Sequence, residues 1–375
     1  MQYYGKHLHV EGSHFKGLFI HFFKIMTRVY NEMTNLSFDY QIVPSVFQRL
    51  YIPDVIKQSI YDLKYTHVYS FIYKHTRIHL KIYSKRSSDD FIFIYRKVVF
   101  TLMFLMRFST THKDSIEISL YFTKHRKSLP KQGILNEINL NSAYTLPCNN
   151  DVYAHIYRKE EWVKVLIHEA IHFLNIDFSC VHDNAVEQLD QQFYRIIPLK
   201  KENIRLYEAY CEFWALQIHC SIIAFFDNMK RDIDYEKTFN KYENLLKNET
   251  KYSLFQMNKI LNYNYLDYYD IVFNNNNYIN KSVYSENTYA ISYFIVKTIL
   301  LFHQNEFIEW CLQNNSKRNP MMFVRTFDNM KAFFSFIQRF YRNEKFLDAL
   351  EYSNYDVDRR SFFYSTTTMS LYEMY

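Results

Sequence analysis

The chain predicts an α+β fold: a small, twisted, mainly β N-terminal lobe with packed helices, followed by a mostly α-helical C-terminal lobe. Three observations carry this. Between Thr66 and Thr145 several short runs alternate apolar and polar residues. From Glu161 to Phe173 one stretch is apolar all round a helix, which marks it as buried. After Asp177 the pattern is helical almost to the end. At 375 residues the chain can bury a large core. It divides into an N-terminal helical extension over 1–65, an upper lobe over 66–178 and a helical lower lobe over 179–375.

Each element has its own signal. Phe15, Leu18, Phe19, Phe22, Phe23 and Met26 recur at helical spacing, so residues 14–33 read as a helix. Pro44 and Pro53 punctuate an irregular connection after it. His67–Tyr73 and Arg77–Tyr83 alternate on either side of Lys74-His75-Thr76, which makes a hairpin. Ser87-Ser88-Asp89-Asp90 opens a helix that the apolar run carries to Phe108. Ile116–Phe122 and Ile138–Thr145 read as strands. Helical segments follow at about 183–196, 201–228, 236–248, 287–303, 305–313 and 329–349, with a surface loop at Asn274-Asn275-Asn276-Asn277. The last fifteen residues show no period.

Composition excludes several classes. No glycine follows Gly133, so glycine-rich phosphate loops are absent from the rest of the chain. A net charge of +6 is modest, and the basic groups, such as Lys124-His125-Arg126-Lys127 and Lys200-Lys201, read as solvated surface. A nucleic-acid partner would rest on that charge and the 19% aromatic share alone, without a recognition motif. Five cysteines without CxxC spacing point to free thiols and a reducing compartment. Met1–His7 lacks the apolar core of a signal peptide, and the run Phe91–Phe108 is too charged to span a membrane. A soluble, cytoplasmic protein without a membrane partner is therefore expected.

The chemistry concentrates in His168-Glu169-Ala170-Ile171-His172. Four residues is slightly more than one helical turn, so both imidazoles emerge on one face and can close on one metal ion. Glu169 sits beside them, within reach of a metal-bound water, which is the arrangement of a zinc hydrolase. The plainer alternative is a pair of hydrogen-bonded core histidines with Glu169 at the surface. A second carboxylate pair, Glu208 and Glu212, shares one face of an apolar helical segment, where it needs partners if buried and is a solvated stripe if not.

With strands, the histidine helix and the carboxylate helix in this order, the chain from about 66 to 215 resembles the catalytic core of the zincin metallopeptidases. The resemblance implies a small twisted sheet on two helices, with an edge strand beside the cleft, here Asn139–Thr145, to which a substrate peptide adds. Asn175 and Phe178 stand where a metzincin would have glycine and histidine. The gluzincin pattern fits better. It implies one Zn²⁺ held by His168, His172 and Glu208, with Glu212 orienting a ligand histidine. The longer gap between His172 and Glu208 and the Glu at 212 in place of the usual Asp depart from that pattern; Asp183, Glu187 and His182 are competing third ligands. The implied activity is peptide-bond hydrolysis, with Glu169 as general base and Tyr293 as oxyanion donor, Tyr289 and His219 being the other candidates. Arg158-Lys159-Glu160-Glu161-Trp162 before the motif also resembles zincin-like proteins of large DNA viruses. That likeness implies a protein substrate inside an infected cell or a particle. The rival reading is a catalytically inactive zincin-fold structural or virion-associated protein with a structural metal; the presence of Glu169 argues against it.

Overall fold

Three rows of aliphatic side chains run across a six-stranded sheet and organise the N-terminal half. In register, the rows are Ile78, Ile116 and Val152; Leu80, Ile118 and Ala154; and Ile82, Leu120 and Ile156. All nine residues are essentially inaccessible. Alternation places them on one face. Each large side chain removed from water there contributes about 1.5–3 kcal/mol. The opposite face carries Tyr83, Tyr121 and Tyr157, which pack with Ile56 and Ile60 of a short helix.

The computed structural model describes residues 13–47, 50–181, 183–199, 204–229, 233–273, 284–317, 319–353 and 365–374. Helix α1 (Ser13–Thr34) precedes strand β1 (Asp39–Pro44), α2 (Asp54–Tyr61), β2 (Tyr65–Tyr73), β3 (Thr76–Ser84), α3 (Ile92–Leu105) and β4 (Ser115–Thr123). Then come β5 (Leu135–Asn136), α4 (Glu137–Leu140), β6 (Ala143–Thr145), β7 (Asp151–Arg158) and α5 (Trp162–Phe173). The sheet order is β1-β2-β3-β4-β7-β6. Its β3-β4 and β4-β7 pairs are parallel and the remaining pairs antiparallel, so the sheet is mixed. The aliphatic face packs on α1, α3 and α5 in one continuous core.

The second half is helical: α6 (Asp183–Ile196), α7 (Leu206–Asp227), α8 (Tyr235–Tyr263) and α9 (Tyr268–Phe273). A π-helical turn at Ile291–Val296 runs into Lys297–Phe302, followed by helices Gln304–Asn314, Phe327–Phe340 and Glu344–Ser353. Among the described residues α7 alone is long and apolar enough to cross a membrane, and 89% of its apolar window is buried within the fold. It lies against α5 and supplies the second wall of the site.

Several expectations need correction. Asp39–Pro44, read as part of an irregular connection, is a sheet strand, paired along its whole length with Tyr65–Ser70. Strand β7 was not anticipated; it runs directly into the turn before α5, so Arg158 is strand and Glu161 caps the helix at φ 55° instead of lying within it. Within the expected strand Ile138–Thr145, residues Glu137–Leu140 form one helical turn, capped by Asn136, whose side chain accepts from Ile138 N. Only Ala143–Thr145 pairs as the edge. Lys127, expected in solvent, is buried against Glu161. Finally, Cys148 and Cys180 form a disulfide, while Cys211, Cys220 and Cys311 are free and buried. The pairing is made by the fold, which brings the β6–β7 connection to the turn after α5, and the cysteine count no longer argues for a reducing compartment. The surface-loop expectation at Asn274–Asn277 and the Lys200-Lys201 group lie outside the described residues.

Candidate metal centre

All twelve residues of α5 are buried, as its uniform apolarity requires. His168 and His172 project from one side, one turn apart, with their rings 4.7 Å apart between centroids. On the facing helix, α7, Glu208 and Glu212 do the same. The two helices bring three atoms together. His168 Nε2 is 3.0 Å from His172 Nε2 and 3.1 Å from Glu208 Oε2, and His172 Nε2 is 3.4 Å from the same oxygen. Ligand atoms about 2.0–2.1 Å from a tetrahedral zinc stand about 3.3 Å from one another. The triangle has that size.

The outer nitrogens decide what the inner ones can be. His168 Nδ1 lies 2.9 Å from Glu212 Oε1, an ion-pair contact, and His172 Nδ1 lies 2.6 Å from Asp177 Oδ2. A neutral ring that carries its proton on the Nδ1 facing the acid leaves its Nε2 lone pair free. Two lone pairs and a carboxylate oxygen then converge on one point in a buried site. Such a set could hold a cation, either a metal ion or protons on the rings. The chemistry of the donors and their spacing both fit a divalent metal, and the buried cluster can bind one.

Protons compete with a metal for the same ring nitrogens, because the surrounding acids favour the charged imidazole. Burial opposes the charge on His168, but Glu208 and Glu212 outweigh it and raise its pKa; on His172, Cys211, Asp177 and Glu208 outweigh burial by more. Burial pushes Glu208 and Glu212 up, yet the cations beside them, His172 for the former and Lys164 for the latter, hold both well below the usual carboxylate range. Glu169 moves the other way: burial raises its pKa, only partly offset by the two histidines.

Asp177 was not anticipated. Its signal was present in the sequence as Asn175, a residue that accepts the left-handed conformation after a helix. Asn175 has φ 56°, with Asn175 N donating to His172 O at 2.9 Å and Ile176 N to Ile171 O at 3.0 Å. This pair of bonds ends α5 and turns the chain back, so that Asp177 reaches His172. Ser179 Oγ and Arg325 Nε hold Asp177 in place.

The remaining candidates separate cleanly. Glu169 lines a cleft of about 240 Å³ with His168, His172, Glu208 and the edge-strand residues Ala143–Thr145. Tyr293, on the π-helical turn, donates to Glu208 Oε2 at 3.2 Å and lines the same cleft, as does Tyr289. His219 is buried two turns beyond Glu212 and does not line it. Glu187 is exposed on α6, away from the triangle; His182 and the side chain of Asp183 lie outside the described residues. No protein-family model, no curated protein and no solved structure matches the chain.

Proposed function

We propose that the chain is a zinc-dependent peptidase of the zincin type, with the gluzincin-like ligand set His168, His172 and Glu208. The observation that carries the reading is the convergence of His168 Nε2, His172 Nε2 and Glu208 Oε2 within 3.0–3.4 Å of one another, with the Glu169 carboxylate in the same cleft. The short antiparallel edge strand β6 along that cleft supports it, because an extended peptide can be held there by main-chain hydrogen bonds.

A zinc ion in this ligand set supplies Lewis acidity, which acidifies water and polarises a carbonyl group. The rest of the mechanism belongs to the chain. Glu169 accepts a proton from the attacking water and passes it to the leaving amine, so that hydroxyl goes to the carbonyl carbon as the C–N bond breaks. Glu212 and Asp177 orient the two imidazoles. Tyr293, anchored beside Glu208, is the candidate donor to the developing oxyanion.

The test is a pair of measurements on wild type and Glu169→Gln: metal content by mass spectrometry, and cleavage of a degenerate quenched-fluorescent peptide pool. Both proteins are expected to hold about one zinc, while cleavage falls about 10²- to 10⁴-fold in the variant. Unchanged cleavage, or a wild type that binds no zinc after reconstitution, would sink the proposal. Zinc retained with no cleavage by the wild type would assign the metal a structural role.

A further inference from the structure

Among the described residues three cations line the cleft: Lys127, Lys164 and Arg205. Two already have counter-ions. Lys127 Nζ is 2.9 Å from Glu161 Oε2, and Lys164 is bonded to Glu212. Arg205 forms no ion pair among the described residues. Asp190 and Glu208 act on it only at longer range, and its close neighbours are Tyr207 and the ring of Tyr289, whose centroid is 4.7 Å from Cζ. Its side chain hydrogen-bonds to Tyr207 and stacks on Tyr289, and among the described residues no carboxylate fills the rest of the fork, whose shape suits one.

The backbone holds this group deliberately in place. Arg205 caps α7 at φ 52° and ψ 72°, a conformation that is costly for any residue with a Cβ. Its carbonyl accepts from Glu208 N at 2.9 Å and from Ser292 Oγ at 3.2 Å, tying it to both the ligand helix and the π-helical turn. The residue therefore stands one turn before Glu208, on the cleft wall. Glu208 is engaged by both histidines and Glu212 by His168 and Lys164, while the proposed mechanism gives Glu169 to the attacking water.

We propose that Arg205 is a specificity residue that binds a carboxylate of the peptide, either its C-terminus or an acidic side chain. The inference rests on the peptidase reading. It is tested by binding, not turnover, on zinc-loaded Glu169→Gln with and without Arg205→Gln. The probes are three fluorescein-labelled degenerate octapeptide pools: one free of acidic residues with an amidated C-terminus, one identical but with a free C-terminal carboxylate, and one amidated with a single glutamate. At least one acidic pool should bind about 10- to 100-fold tighter than the neutral pool, the range of a charge-assisted bond. Which one identifies the source of the carboxylate. Arg205→Gln should abolish the preference without changing neutral-pool affinity or zinc content, and Arg205→Lys should retain part of it. Equal affinities, or a preference that survives Arg205→Gln, overturn the assignment and leave the peptidase reading standing. Failure of every pool to bind defeats the peptidase reading, and this inference with it.

Discussion

Two buried polar clusters flank α5, and they differ in one respect. At the N-terminal end, Glu161 accepts from Met369 N at 2.7 Å, Ser370 N at 2.5 Å and Lys127 Nζ at 2.9 Å. Glu249 accepts from Ser370 Oγ, Leu371 N and Tyr372 N, and Lys297 donates to Ser253 Oγ and Met369 O. The chain's own donors meet these acceptors, and the C-terminal segment is the element that supplies most of them. At the other end, His168 Nε2, His172 Nε2 and Glu208 Oε2 face one another, and with both rings neutral and protonated on Nδ1 the triangle offers only lone pairs. The first cluster is closed and holds the fold together. The second is a set of groups that could hold a metal ion. A count of buried charges would rank them alike; only the direction of the donors separates scaffold from site.

The largest effect should come from breaking the closed cluster. Glu161→Gln leaves Lys127 buried without its counter-ion, so unfolding free energy should fall by about 3–5 kcal/mol. Zinc per folded molecule should be unchanged. Denaturant melts with parallel metal analysis check both, and loss of zinc without loss of stability would erase the distinction between the clusters.

Stripping the metal tests the second cluster. With free zinc at a hundredfold excess over Kd, binding adds about 2.7 kcal/mol to stability, which a chelator should remove. Glu208→Ala should be insensitive to the chelator. A wild-type melting curve that does not respond either would mean that protons, not a metal, satisfy the triangle. Asp177→Asn should do less, weakening zinc affinity about 10- to 100-fold while leaving the fold intact, measured by competition with a chromogenic chelator.

The pH dependence tests the closed cluster a second way. Burial raises the Glu249 pKa from 4.5 to about 7, so the folded state keeps that proton where the unfolded chain has lost it. The stability linked to this proton is complete below pH 4.5 and lost as pH rises through about 7. Glu249→Gln should flatten the decline between those values in pH-dependent melts; a steeper decline in the variant would refute the assignment.

Much of this was legible in spacing alone. His168, Glu169 and His172 share one turn wherever a helix forms, and the apolar residues around them dictate that it be buried. Glu208 and Glu212 obey the same rule on α7, so each half of the site was set locally, by 3.6 residues per turn. Most helices of the lower lobe and four of the sheet strands were likewise visible in their periods, but the second half of α8, α9 and the break between Phe327–Phe340 and Glu344–Ser353 were not. The facing of the two halves was not, because no local interval relates α5 to α7. Asp177 depends on the reversal at Asn175, the Cys148–Cys180 bridge on two loops meeting across the cleft, and the bond from the C-terminal segment to Glu161 on a chain reversal far outside the motif. That Arg205 has no ion pair among the described residues is recognisable only once its neighbours are known. The sequence by itself determined which residues could serve as ligands and base. Only the tertiary structure decided which carboxylates were already paired and which faced open space, since pairing is a property of long-range contacts that no period encodes.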